Sequence, residues 1–277
     1  MTTTALRMPT ARMLALHEAR VHAGRRRELR DLGHGYLLHD PADPEPFWNR
    51  LVAPDFPTEA AAFDRRLAET IVLFGTLGRY PHLRPLADGI RPPDLVRRLV
   101  GAGFQAVGED LTLVVRDPEL SRRAAGGPLP GGVSIEVVAA RPADPAPLAH
   151  EIAATLVAAF IVDAPREVAI ERDARSTIGR RGIEFVLARV DGTVMAVAKR
   201  TSLGGMAYLS SIGTHPAMRG RGLGRLVTAA ATASALAGGD RLVHLVVESG
   251  NRAAIAMYEG LGFESVGRPV PDLLLRD

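Results

Sequence analysis

The sequence predicts an α/β chain whose mixed, mostly antiparallel sheet is flanked by helices and built in two successive halves. Three observations carry this. Residues 183–190 and 193–200 are strand-like runs joined by Asp191-Gly192, a pair suited to the positive φ angles of a tight hairpin. Residues 206–236 read as a strand, a glycine-rich loop and an apolar, alanine-rich helix in direct succession. The pattern GAGFQAVG at 101–108 returns as GLGFESVG at 260–267 with five of eight positions identical, each time where a helix ends in glycine and a strand follows.

In the first half, residues 47–52 form a candidate strand. Residues 57–77 carry Phe63, Leu67, Ile71 and Phe74 at helical spacing. A helix over 94–100 and a strand over 105–116 follow. The basic cluster at 20–30 reads as a solvated helical face. Residues 117–132, DPELSRRAAGGPLPGG, combine charge, proline and glycine as a linker does, which divides the chain into an N-terminal domain 1–120, a linker 121–132 and a C-terminal domain 133–277. The second half then gives a strand at 133–138, helices at 147–160 and 165–178, the hairpin, a strand at 206–214, the long helix, a strand at 242–247, a helix at 253–259 and a strand at 264–276.

Composition excludes several classes. Hydrophobic content of 47% with 23% charged residues is that of a globular protein. No run is long and apolar enough for a membrane span and the N-terminus lacks a cleavable leader pattern, so the expectation is a cytoplasmic protein with no membrane partner. Zero cysteine removes disulfides, a thiolate nucleophile and cysteine-ligated zinc. The eight histidines are scattered without ligand spacing, so no metal is expected. The pI near 9.8 reflects arginine in place of lysine, Lys199 being the sole lysine, and the formal excess is only +3. With 5% aromatic residues to stack on bases, no nucleic acid is expected as partner.

The chemistry concentrates in HPAMRGRGLGR, residues 215–225. Gly220, Gly222 and Gly224 alternate with Arg221 and Leu223 immediately before a helix, an arrangement that turns several N–H groups toward one anion. Arg219, Arg221 and Arg225 would add charge at the rim. Neither common glycine loop fits: GxGxxG would need glycine where Arg225 stands, and Gly-Lys-Ser/Thr is absent.

Residues 206–262 instead resemble the Gcn5-related N-acetyltransferase (GNAT) superfamily, whose loop Arg/Gln-x-x-Gly-x-Gly/Ala is filled by Arg219, Gly222 and Gly224. A second block of the family, Asn-x-x-Ala-x-x-x-Tyr-x-x-Leu-Gly-Phe, is matched by Asn251, Ala254, Tyr258, Leu261, Gly262 and Phe263. The resemblance implies acetyl-CoA as co-substrate, bound by the loop and by the backbone of Ile212, Gly213 and Thr214 at the end of the preceding strand. It also implies transfer of acetyl to a primary amine of a small molecule, peptide or protein by direct attack in a ternary complex. Gly213 is read as favouring a local irregularity there. The resemblance makes Tyr258 the general acid toward the leaving thiolate, against the alternative of a packed tyrosine anchoring its helix. Asn251 would hydrogen-bond the pantetheine arm, cap the helix, or both.

Glu248 and His215 are the two candidates for the base, and His244 reads as a core residue. The first half, by the internal repeat, resembles a degenerate copy: Pro92 stands opposite Asn251, Leu99 opposite Tyr258, and no arginine-glycine loop precedes its long helix. The alternative function is a non-catalytic acyl-CoA-binding sensor or scaffold. Glu151, Asp163, Glu167, Glu171 and Asp173 on the two early helices could attract a cationic acceptor. Both monomer and homodimer remain open.

Overall fold

In a computed structural model the described residues are 9–24, 26–162 and 164–276. The chain divides into two compact units that are not consecutive in sequence. Unit 1 holds Met1–Thr112, Val247–Asn251 and Ser265–Asp277; unit 2 holds Leu113–Val246 and Arg252–Glu264.

Unit 1 opens with helix α1 (Ala11–His22), started by the Thr10 hydroxyl, which accepts from the Met13 N–H at 3.2 Å. Strands β1 (Glu28–Asp31), β2 (Tyr36–His39) and β3 (Arg50–Val52) pair antiparallel in turn. Helix α2 (Ala60–Thr76) leads to β4 (His82–Arg84), parallel to β3. Helix α3 (Leu95–Gly101) and β5 (Gln105–Val115) follow.

One face of this sheet is apolar: Leu51, Leu83 and Leu273 pack with Phe63, Leu67 and Phe74 of α2 and Leu95 and Leu99 of α3. By the alternation of strand side chains the other face carries Arg50, His82, Arg84, Asp110 and Asp272. There Arg50, fully buried, donates to Glu18 of α1 at 2.8 Å, and Arg84 meets Asp110 at 2.9 Å. Burial alone would raise the Glu18 carboxyl, but Arg84, Arg50 and His22 overcome it and hold the pKa down to about 2. Burial raises Asp110. Against the same cost of burial, Arg84 and His82 hold Asp272 below the ordinary carboxylate range.

Unit 2 begins with the end of β5 and helix α4 (Pro118–Ala125), whose N-cap Asp117 accepts from the Glu119 N–H at 3.0 Å with proline at the first turn. Half of the expected linker is therefore helix. Strand β6 (Val133–Val138), helices α5 (Ala146–Phe160) and α6 (Ala164–Thr177), and strands β7 (Ile183–Val190), β8 (Thr193–Leu203) and β9 (Met206–Thr214) come next. Helix α7 (Leu223–Ala237), β10 (Leu242–Glu248), α8 (Arg252–Glu259) and β11 (Phe263–Ser265) complete the unit's run. β6 to β9 are antiparallel neighbours, and β10 pairs parallel with β9. Asp191 (φ 48°) and Gly192 (φ 86°) make the expected turn. Ile152 and Leu156 of α5, Ala174 of α6 and Ile178 just after it pack on Phe185, Leu187, Val194 and Val197.

The last strand, β12 (Val270–Leu274), returns to unit 1, where it pairs antiparallel with both β4 and β5. The single strand read over 264–276 is thus two, separated at Gly267-Arg268-Pro269, and the compact units interleave where the sequence suggested one cut near 121–132. The basic cluster at 20–30 is not one helical face. α1 ends at His22, while Arg27 pairs with Asp40 at 3.1 Å and lies over the Trp48 ring at 3.7 Å.

The repeat is present as structure. β3-α2-β4-α3-β5 and β9-α7-β10-α8-β11 share one order, and each run begins with an antiparallel pair followed by a parallel one.

Candidate active site

The loop residues sit where the chain turns from β9 into α7. Gly222, at φ +81°, is the N-cap of α7 and offers no side-chain cap; a Cβ there would meet nothing within 4 Å, so its requirement is conformational. The first bond of the helix runs from the Leu226 N–H to the Gly222 carbonyl at 3.0 Å, which leaves the N–H groups of Leu223, Gly224 and Arg225 without an acceptor inside the helix. These donors and the positive helix end form an anion cradle. At Gly224 the need is steric: a Cβ would lie 3.0 Å from Thr214 Oγ1 and 3.7 Å from Met257 Sδ, so glycine lets the first turn of α7 close on the end of β9 and on α8.

The end of β9 is irregular, for a reason the sequence did not display. Val197 faces Gly213 and Lys199 faces Ser210, so Ala198 alone stands opposite Ser211 and Ile212. This is a β-bulge, and Ser211 takes the left-handed φ of 49°. The parallel ladder with β10 runs from Met206↔Leu242 to Leu209↔Leu245 and stops just before the bulge. Beyond it, Ile212, Gly213 and Thr214 offer backbone groups to an extended ligand. The irregular residue is Ser211 rather than Gly213. Gly213 instead admits the end of α5: its Cβ would fall 3.0 Å from Ala159 Cβ and 3.1 Å from Leu156 Cδ2.

Tyr258, near the end of α8, is buried at 6% exposure with its ring 5.9 Å from that of Phe263. Burial pushes its hydroxyl up to about 12, so it keeps its proton well into the alkaline range. Ala254 is half-buried on the same helix.

The arginines divide. Arg219 donates to the Ala159 carbonyl at 2.7 Å and Arg225 to the Gly260 carbonyl at 3.4 Å, capping the ends of α5 and α8, while Arg221 is exposed on the loop. His215 caps the 3₁₀ turn Pro216–Met218, its Nδ1 accepting from the Ala217 N–H at 3.3 Å. His244 is fully buried against Tyr208, their rings 5.1 Å apart. Glu248 closes β10 and is exposed, and its carbonyl accepts from the Asn251 N–H at 2.9 Å just ahead of α8. Both belong to the segment Val247–Asn251 that packs with unit 1, where Ser249 bonds to Glu109 through its N–H and its hydroxyl.

Of the acidic residues on the early helices, Glu151 is paired with Arg189 at 2.7 Å, Glu171 with His150 at 3.1 Å and Asp173 with Lys199 at 3.0 Å; Asp163 lies outside the described residues. In unit 1 the corresponding helix start is closed. Glu59 is the N-cap of α2, and its carboxylate accepts from the N–H groups of Ala61 at 2.8 Å and Ala62 at 2.7 Å. Those backbone bonds lower its pKa.

A glycine-led helix start thus stands beside a bulged strand that leaves its parallel partner. Residues 150–263 match the model of the Acetyltransferase (GNAT) family. The match lies in the second half and covers about two fifths of the chain. A GCN5-related N-acetyltransferase from Kribbella flavida superposes with a TM-score of 0.73 at 25% identity, over 98% of this chain and 97% of that one. A tandem GNAT protein from the clavulanic acid biosynthesis pathway shares the fold, with a TM-score of 0.59 at 17% identity over 91% of this chain and 83% of its own. Mycothiol acetyltransferase of Gordonia bronchialis is 45% identical over 67 residues, which is 22% of either protein, so the aligned stretch spans about a fifth of that relative's length.

Proposed function

We propose that the chain is an acetyl-CoA-dependent N-acetyltransferase that moves acetyl from the thioester to a primary amine of a small molecule, peptide or protein, by direct attack in a ternary complex. The observation that carries the reading is the meeting, at the contact of Gly224 with Thr214, of an uncapped helix start and a strand end freed from its ladder. The first suits a pyrophosphate and the second an extended pantetheine-like arm. On this reading Ile212, Gly213 and Thr214 pair with the arm, and an N–H among them polarises the thioester carbonyl. Arg219, Gly220, Arg221, Gly222, Leu223, Gly224 and Arg225 form the cradle, with Asn251 and Ala254 further along the cofactor.

The amine nitrogen attacks the thioester carbon, the C–N bond forms, and the C–S bond breaks with its electron pair going to sulfur. Tyr258, whose phenol is protonated at neutral pH, gives that sulfur its proton. The amine sheds its own proton to a base. With Nδ1 of His215 accepting a backbone N–H, a neutral ring holds its proton on Nε2 and has no second lone pair to offer. Glu248, exposed at the end of β10, is left as the base acting through water. The experiment is coenzyme A release measured across a panel of primary amines. Amine-dependent release supports the assignment; acetyl-CoA binding without turnover on any amine would make the chain an acyl-CoA sensor or scaffold.

A further inference from the structure

Strand β6 is an edge strand of unit 2: it pairs with β7 on one side, and among the described residues no strand takes its other side. The Asp191 N–H donates to the Gly132 carbonyl at 3.0 Å, so the adjoining pair Val133↔Val190 is one without mutual hydrogen bonds. By the alternation of an antiparallel ladder, the main-chain groups of Ser134, Glu136 and Val138 turn toward β7, and those of Val133, Ile135 and Val137 turn away from it. The Val133 N–H is taken up by the Pro130 carbonyl at 3.1 Å. The carbonyl of Val133 and both main-chain groups of Ile135 and of Val137 are left as an open ladder.

The side chains do not guard this edge. Val186 and Ala188 of β7 are fully buried, whereas their partners across the ladder are Val137, 46% exposed, and Ile135, half-buried, so an apolar face of the sheet runs out unfinished at β6. On the other face Val138 packs with the α5 and α6 core, and the Glu136 carboxylate is matched by Arg189 at 2.8 Å. The strand, VSIEVV, holds neither lysine nor proline. The edge strand of unit 1 differs: β1 exposes Glu28, Arg30 and Asp31, charges of the kind that keep an edge from pairing.

The segment is complementary to itself. Laid antiparallel on a second copy with Ile135 opposite Ile135, it sets Val133 opposite Val137 on the unfinished face. On the other face Ser134 stands opposite Glu136, where a hydroxyl can donate to a carboxylate. The open main-chain groups meet in the same register: the Ile135 N–H faces the Ile135 carbonyl of the second copy and the Val137 N–H faces its Val133 carbonyl, in both directions. Centring the pair on Glu136 would oppose two carboxylates, and centring it on Ser134 would leave Val137 against Gly131. We infer that the chain forms a homodimer by two-fold antiparallel pairing of β6 with β6 of a second copy. The inference is independent of the acetyl-transfer reading, because no residue of the cradle lies on β6.

The test is sedimentation velocity of the full chain from low to high micromolar concentration, where the mass should rise from 29.5 kDa toward twice that value. Amide hydrogen exchange over the same range should slow at Ile135 and Val137 as the dimer forms. Ile135→Pro removes a donor that faces away from β7, so the fold is kept while the dimer Kd rises by about tenfold or more. Val137→Lys, at an exposed position, should weaken the dimer in the same way and leave the melting temperature of the monomer unchanged. If either variant fails to fold, exchange at Ile135 and Val137 in the parent decides. A chain that stays at 29.5 kDa throughout would overturn the inference. So would a dimer in which the Ile135 and Val137 amides remain unprotected, or one whose Kd neither substitution changes.

Discussion

Gly222 offers the sharpest test of the cradle. Its φ of +81° lies in the left-handed region, and a Cβ would have open space around it, so replacement introduces no clash and acts through the backbone alone. For an L-residue with a branched Cβ that conformation costs about 1–2 kcal/mol. In Gly222→Val the cost appears in one of two places. If the free chain relaxes to negative φ, binding must restore the cradle and the affinity for acetyl-CoA falls by roughly 5–30-fold. If the fold holds the turn, the same amount is lost from the stability of unit 2. Calorimetric titration with acetyl-CoA and urea unfolding of the same sample measure both, and their combined loss should equal about 1–2 kcal/mol. Gly222→Asn should recover much of it, because asparagine tolerates positive φ. A Gly222→Val protein with parental affinity and parental stability would refute the argument.

Other outcomes follow from the same structure. Tyr258→Phe should lower kcat by about 10²–10⁴ with the Kd for acetyl-CoA unchanged, as stopped-flow release and calorimetry would report. Tyr258 titrates near 10 unfolded and about 12 folded, so its contribution to stability is complete below pH 10 and is lost as pH rises toward 12, by at most ~3 kcal/mol. Unfolding curves at pH 9 and pH 11 should show that loss in the parent and less of it in Tyr258→Phe. Glu18→Gln should destabilise unit 1 by about 3–5 kcal/mol, since Arg50 would lose its buried carboxylate. With the Glu18 pKa depressed to about 2, its stabilisation is complete above pH 4.5 and disappears as pH falls toward 2, which acid titration of the melting temperature would reveal. Acetyl-CoA should bind once per chain. Glu59→Ala, which removes the carboxylate seated on the start of α2, should lower the melting temperature and leave that stoichiometry at one.

What could be read in the sequence was what short-range chemistry enforces. The Asp191-Gly192 hairpin, β9 at 206–214 and the helix behind Gly222 follow from alternation, turn residues and glycine spacing. The missed elements had weaker local marks. β4 is three residues long, too short for any period, and α1 and the β1–β2 hairpin lay among arginines that masked their patterns. The linker's proline was in fact the first residue of α4, behind the N-cap Asp117. The placing of β12 between β4 and β5 is a tertiary choice that nothing in 270–274 declares. At the site the glycines were legible, whereas the bulge was not: Ser211 adopts its left-handed φ without the glycine that usually signals one. The arginines of the loop were legible only as charge. That Arg219 and Arg225 spend part of it on the carbonyl ends of α5 and α8 depends on where those helices stop.

The central claim is that one cradle at the junction of β9 and α7 delivers an acetyl group to an amine. Its most direct test is the mass balance of a reaction with limiting acetyl-CoA and excess phenethylamine, with coenzyme A and N-acetylated amine both quantified by mass spectrometry. The account predicts one acetylated amine for each coenzyme A released. Acetyl-CoA recovered intact, or coenzyme A accompanied by free acetate with no acetylated amine from any primary amine supplied, would contradict it.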